Sequence, residues 1–571
     1  MSVDTARKSA SATLCMALAG VRLLAQTVCG PTPTYSPCDI AFELSAADAA
    51  GHPDPNRSVQ LRAEFRSPRH RTFLMPAFWD GGRKLVIRFA PIEAGEWDYR
   101  LTSNIESWNG KQGRFSATAS AAPGFIQIAN VHHFSYTESN KPHLWSGDTA
   151  PQLDPAQFEQ FVTARAQQKI NHLRVIFDPA KFSPAYFQEM DQRLFIVNKK
   201  GITADLALAG GNNRLTRVYP ERDQRERYVQ YLVSRYSALN ITWNGVESFE
   251  SYENGRELLK ELGSYLKSMD PYQHPRSTGT ASTSAPLIDD GWMTYLTYRT
   301  SDDRIAAIEH QLYGMPGVMD FGGGDNDAAR KRLWNATMDG QYPAASGPGM
   351  KVWFDLFSQT RHWELEPFFE VEGGRGLALA DVEYIIYVEK PGPVDVQLEK
   401  HNYDVSWFNP INGESIELKT LKGDRFTGEP PDRTHDWVLL ISREGKKASM
   451  LKEYKFETQP PVLQETESNP AKVPFTIDEP STDTVYMHDP ASYSAKLKKE
   501  TKATRSMMYL WTGEVTADGQ SYRVLGTGIN GTLQLPPDLA HRFPASLHLR
   551  VTGMNAYGKI YIADRNYQLS Q

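Results

Sequence analysis

Two acidic residues close two short apolar segments: Glu247 ends "ITWNGVE" and Asp320 stands in "GVMDFG". A pair of carboxylates facing each other across a cleft can break a glycosidic bond. One, held protonated, donates to the leaving oxygen, and the other meets the positive charge developing at the anomeric carbon. Their separation sets the stereochemistry, at ~5–5.5 Å for retention and ~6.5–9.5 Å for inversion. Glu250 competes with Glu247, because a one-residue error in a strand end changes which side chain points inward; the pattern favours Glu247. Asp148, in "WSGDTA", is a further acid at a segment end.

Other residues are read as substrate-binding candidates or as packing. Arg174, in "INHLRVIFDP", suits a guanidinium that keeps a carboxylate ionised, or one that closes a buried ion pair with Asp148 or Asp205. His172, in the same apolar run, reads as a hydrogen-bonded core histidine. Tyr295 and Tyr298 flank the segment of Asp320, where one of them can hydrogen-bond its carboxylate. His310 and Gln311, in "EHQLY", are placed to reach sugar hydroxyls. Trp353, with His362 and Trp363, offers a stacking floor for a sugar ring or packing beneath the next domain. Asp325, Asn326 and Asp327 carry oxygen donors but lack the spacing and terminal glutamate of a calcium loop, so no metal and no organic cofactor is implied.

The segments that must position these groups alternate short apolar runs with amphipathic helical stretches. "DPAQFEQFVTARAQQK" starts with Asp154 as an N-cap and Pro155 at the first helical position. Strands are expected at "HLWSGDTA", "LRVIFDP", "ADLALAG", "ITWNGVE", "RSTGTAS", "MTYLTY", "GVMDFG" and "WNATMDGQYPA". Eight parallel strands predict a closed (β/α)8 TIM barrel, whose chemistry gathers at the C-terminal strand ends. An open doubly wound sheet competes, but no G-x-G-x-x-G follows a strand. Before the barrel, alternating segments such as "VQLRAEFRSP" and "KLVIRFAPIEAGEWDYRLTS" predict a β-sandwich, with Trp79 and Trp97 plugging it or facing the next domain. After the barrel the chain returns to β character. The expected division is a leader over 1–30, a sandwich over 31–127, the barrel over 128–382, a sandwich over 383–456, a linker over 457–474 and a β-rich domain over 475–571.

The chain has 571 residues, with 62 Lys+Arg against 68 Asp+Glu and a formal net charge of −6. Without a basic block it lacks the footprint of a nucleic-acid binder, so nucleic acid is set aside. Its three cysteines, Cys15, Cys29 and Cys38, precede the first convincing strand and supply no disulfide framework for the body. Arg7 and Lys8 followed by an apolar run from Ala10 to Leu24, interrupted by Arg22, resemble an export signal, which predicts a periplasmic or secreted protein, the alternative being a disordered cytosolic leader. No other segment has the ~18 apolar residues of a membrane span. The oligomeric state is not legible.

The order of modules and the motifs "PAFWDGG…RFAPIEAGEWDY", "WSGDTA", "NITWNGVESFESYENGRELLKELG", "DPYQHPRSTG", "RLWNATMDGQYP", "RHWELEPFF" and "WFNPINGE…PPDRTHDWVLLI" resemble multidomain bacterial proteins. These join an N-terminal sandwich of unknown function, an apiosidase-like glycoside-hydrolase barrel and a collagen-binding-type sandwich. The resemblance implies a carbohydrate substrate, with the acid/base at the end of strand four and the nucleophile at the end of strand seven, which are Glu247 and Asp320 here. It departs at strand seven, where an aspartate replaces the usual glutamate and "GGGDND" shortens the loop. A noncatalytic carbohydrate or matrix binder with a degenerate barrel, and a polysaccharide lyase using Tyr and Arg, are the alternatives.

Overall fold

The computed structural model describes residues 29–570 except 321, 323, 325, 346, 446–462, 464, 487–490, 518–519 and 536–542. The expected leader therefore lies outside the described residues except for Cys29 and Gly30, as does most of the first half of the expected linker.

Eight parallel strands form the centre: Gly147–Thr149, His172–Ile176, Thr203–Ala209, Ile241–Val246, Arg276–Ser277, Leu296–Tyr298, Gly317–Asp320 and Gln341–Ala344. They hydrogen-bond in the order five-four-three-two-one-eight-seven-six. Strands five and six complete the ring through Thr294 N–H donating to Arg276 O at 2.8 Å and a 2.9 Å contact between the hydroxyls of Ser277 and Thr297. This is the TIM barrel that the alternation predicts. Strand three, "TADLALA", is buried along its whole length, as a strand covered on both faces must be. Asp154 caps the helix Pro155–Gln167 by accepting from Gln157 N–H at 2.9 Å. One segment differs from expectation: "WNATM" is the end of the helix Asp327–Met338, and strand eight begins only at Gln341. Leu333, Trp334, Ala336, Thr337 and Met338 are all buried, so that turn of helix shows no polar face and reads like a buried strand.

The N-terminal sandwich has a five-stranded and a three-stranded sheet. Trp97 is fully buried in its core, between Phe73, Phe89 and Phe115. Trp79 touches the barrel through its backbone carbonyl, which accepts from Tyr231 O–H at 2.9 Å, while its indole N–H donates to Gly82 O at 2.9 Å. Cys38 opens a strand, Cys38–Glu43, and is disulfide-bonded to Cys29, which corrects the expectation that all the cysteines precede the strands. A buried ion network fastens this sandwich to the barrel. Asp191 bonds Arg88 at 3.1 Å and both Nε and Nη2 of Arg235, at 2.8 and 2.9 Å, while Arg235 also reaches Asp80 at 3.0 Å.

The sandwich after the barrel starts earlier than residue 383. Glu366–Phe368 and Arg375–Leu379 already pair antiparallel within its sheet, because Pro367 and the short "EPFF" stretch follow the last barrel helix with no room for another crossover. It is pinned to the barrel by Arg330 on Asp436 and by Trp334 stacked on Tyr387. A three-stranded and a five-stranded sheet make up the last domain, which meets the barrel where Arg304 Nη2 bonds Thr527 at 3.0 Å.

Candidate active site

Strand four ends at Val246, and Glu247 N–H still donates to Ala209 O at 3.0 Å, so its side chain is fixed at the barrel mouth before Ser248, with φ 51°, turns the chain away. Close packing holds it there: a Cβ on Gly279 would lie 2.8 Å from Glu247 Cα, so only glycine fits beneath it. Asp320 is the last residue of strand seven, its Cα paired with Ala344 of strand eight. Both acids are buried, 8% and 6% exposed.

Two arginines join them. Arg174, on strand two, donates from Nη1 to Asp320 Oδ2 at 2.8 Å and stands 3.4 Å from Glu247 Oε1. Its orientation is set by Asp205, which takes its Nε at 2.8 Å and itself accepts from Thr242 O–H at 3.0 Å and Tyr295 O–H at 3.3 Å. Arg299 follows strand six and donates from a single nitrogen, Nη2, to Asp320 Oδ2 at 2.6 Å and to Glu247 Oε2 at 2.9 Å. Two oxygens on one nitrogen cannot lie further apart than the two contacts laid end to end, which limits their separation to about 5.5 Å. That bound falls at the retaining separation and below the ~6.5 Å at which inverting pairs begin. Burial pushes the Asp320 carboxyl up, but the guanidiniums of Arg174 and Arg299 outweigh it and hold the group below the ordinary carboxylate range. Glu247 Oε1 is buried without a hydrogen-bond partner, its charged neighbour Arg174 Nη1 standing 3.4 Å away.

Glu247, Asp320 and Arg174 are thus brought together, and Arg174 makes both contacts considered for it, one to a mouth carboxylate and one to Asp205. Five other candidates make different contacts. Asp148 turns toward the helix Pro155–Gln167 and is taken by Arg165 Nε at 2.5 Å. Glu250 is exposed and ties two loops together, accepting from Thr280 O–H at 2.5 Å and Ala281 N–H at 2.9 Å. Tyr298 is fully buried among apolar residues between strand six and the helices, beside Glu309. His310 lies on the helix Asp303–Leu312 and contacts Glu366 at 2.8 Å, away from the mouth. Trp353 is buried in the helix Pro348–Phe357 and donates to Thr337 Oγ1 at 2.9 Å, so it packs and forms no sugar platform. His172 is the core histidine expected, stacked 3.3 Å from the Trp145 ring. Asn326 caps the helix Asp327–Met338 and Asp327 pairs with Arg330 at 2.8 Å, while Asp325 lies outside the described residues. Arg299 escaped the sequence reading because strand ends were searched for acids; the same search for cations in "MTYLTYRTSDD" finds it.

An eight-stranded parallel barrel set between β-sandwiches, with two carboxylates at its C-terminal mouth, defines the class as glycoside hydrolases of the TIM-barrel type. Within it, the chain carries an apiosidase-like catalytic domain: the family model described as "Apiosidase-like, catalytic domain" matches residues 163–320. A domain of unknown function (DUF5060) matches 32–104, and a putative collagen-binding domain of a collagenase matches 375–442. Among solved structures, a putative glycoside hydrolase from Bacteroides vulgatus ATCC 8482 is 16% identical with a TM-score of 0.61, over 72% of this chain and 100% of that one. A glycoside hydrolase family 5 structure from the same organism is 13% identical with a TM-score of 0.51, over 56% of this chain and 93% of that one. At these identities the likeness shows the fold. No curated protein matches the chain. Among the described residues no helix is long and apolar enough to cross a membrane.

Proposed function

We propose that this chain is an exported glycoside hydrolase that works by a retaining, two-carboxylate mechanism on oligosaccharides of plant or microbial polysaccharide. The observation that carries this reading is the single Arg299 nitrogen shared by Glu247 and Asp320, which bounds their separation at about 5.5 Å. Asp320, held ionised by Arg174, is the nucleophile. Its oxygen forms a bond to the anomeric carbon as Glu247 gives a proton to the leaving oxygen. In the second step Glu247 takes a proton from water, which displaces Asp320 and frees the sugar. Arg299 occupies the space the scissile bond must enter, and its side chain, 39% exposed, has a way out toward the mouth. Substrate therefore displaces it. Export is supported by the Cys29–Cys38 disulfide, a bond that persists in oxidising compartments.

One observation favours a second reading, a noncatalytic carbohydrate binder: Arg299 neutralises both acids and closes the gap between them. The lyase reading loses its support, because Tyr295 is engaged with Asp205 below the mouth and Tyr298 lies in the helical layer. A panel of aryl glycosides and polysaccharides, offered to wild type, Asp320→Ala and Glu247→Ala with glycan binding followed by calorimetry, decides between the remaining two. Hydrolysis of the polysaccharides by wild type that both substitutions abolish while binding persists supports the enzyme. Binding without turnover of any glycan supports the binder.

A further inference from the structure

At the opposite end of the barrel from the mouth, three imidazoles converge on one carboxylate. His132 Nδ1 lies 3.1 Å from Glu366 Oε1, His310 Nε2 lies 2.8 Å from Glu366 Oε2, and His133 Nε2 lies 3.7 Å from Oε1. All three histidines are at least nine-tenths buried. The residues come from three separate segments: the turn before the strand His133–Tyr136, the helix Asp303–Leu312, and the first strand of the following sandwich. The catalytic proposal does not use them.

We propose that His132, His310 and Glu366, with His133 beside them as a fourth donor that must move inward, form a structural site for a divalent zinc-like cation that staples the barrel floor to the sandwich after it. Three features carry this. First, His133 Nε2 is buried with no hydrogen-bond partner while aimed at Glu366 from beyond hydrogen-bonding distance, a free imidazole donor pointing into the cluster. Second, the outer nitrogens of two of the three histidines are held as in metal-bound histidines, while His310 Nδ1 is buried without a partner. His132 Nε2 meets the Tyr313 carbonyl at 3.0 Å and His133 Nδ1 meets the Tyr342 hydroxyl at 2.7 Å. A carbonyl can only accept, so His132 Nε2 bears hydrogen and its bare Nδ1 faces two carboxylate oxygens, at 3.1 and 3.2 Å. Two acceptors cannot face each other without a positive centre, either an added proton or a metal ion. Third, the ligand atoms of His132, His310 and Glu366 all lie within 4.8 Å of one another, and the two nitrogens stand 3.1 and 2.8 Å from the carboxylate oxygens, near the ~3.4 Å expected between donors on a tetrahedral zinc with bonds of ~2.1 Å. A histidine-rich set with one carboxylate suits zinc over calcium or magnesium, which prefer oxygen. Binding replaces the proton between His132 and Glu366 and neutralises the carboxylate. Glu366 keeps 29% of its side chain exposed, which leaves the ion a route in.

The test uses the full chain, stripped with a chelator and dialysed, with zinc chloride added in a calorimeter and in a thermal melt. Cobalt chloride serves as a visible probe, since tetrahedral Co2+ absorbs strongly. The expected result is one equivalent of zinc, a melting temperature raised by about 3 °C or more, and the tetrahedral cobalt spectrum. His133→Ala, which removes the unpartnered ligand, and Glu366→Gln, which keeps the side-chain shape, should each weaken zinc at least about 10-fold while still melting cooperatively without metal. No zinc binding by wild type, or equal binding by wild type and both variants, overturns the site and leaves a protonated histidine clamp.

Discussion

Glu247 and Asp320 hang on one nitrogen of Arg299, at 2.9 and 2.6 Å, so the two acids are as close as a retaining pair and are separated by a positive charge. In the free protein that charge offsets the repulsion of two buried carboxylates. During catalysis it must give way to the sugar, whose developing positive charge takes over the same place between the acids.

If Glu247 delivers the proton, its loss matters most where the leaving group needs one. Glu247→Gln should lower kcat/KM on an alkyl glycoside or natural oligosaccharide by about 10²–10⁴-fold. On an aryl glycoside whose phenolate leaves unaided the first step should be far less affected. Steady-state and burst kinetics on the two substrate types check this.

Arg299→Met should move the acidic limb of the kcat/KM profile upward. Burial raises the Asp320 carboxyl, and Arg174 and Arg299 together bring it below the usual value. Without Arg299 one of the two lowering charges is gone, so the nucleophile protonates at a higher pH, by about one unit. A pH-rate profile of both proteins reads the shift.

Much of this site is legible in the sequence. Strands four and seven end on acids, and eight apolar segments at barrel spacing place those ends on one mouth. Side-chain direction is less legible where strands are short: Gly147–Thr149 has three residues, too few for alternation to show that Asp148 faces out toward Arg165. Tyr298 and Trp353 carried the same ambiguity, since large aromatics serve sugar platforms and cores alike, and burial decides for packing. His310 could not be paired from sequence with His132 and Glu366, because the three share no local spacing and only the fold brings them together.

Glu309 gives stability a pH dependence unrelated to catalysis. Burial pushes its carboxyl up to about 7, despite the hydrogen bond from Thr283. A carboxyl raised on folding binds protons better in the folded chain, so stability falls as pH rises from about 4.5 to about 7 and stays lower above. Glu309→Gln should remove that slope and gain up to about 3 kcal/mol at pH 8. Asp339, also pushed up to about 7 by burial, acts with the same sign in both proteins, so calorimetric melts of the pair at pH 5 and 8 isolate Glu309.

The joint between the N-terminal sandwich and the barrel rests on Asp191, which neutralises Arg88 and Arg235, both nearly fully buried. Asp191→Asn leaves Arg88 only Asp39 and Arg235 only Asp80 as carboxylate partners and should cost about 1.5–3 kcal/mol. Denaturant unfolding followed by tryptophan fluorescence checks this, with the sandwich and barrel losing their common transition.

The most direct measurement is proton NMR of the first anomer released from a cleaved glycoside, recorded before mutarotation. Facing oxygens no more than about 5.5 Å apart leave no room for the water of an inverting pair, so the product should keep the configuration of the substrate. An inverted first product would contradict the account.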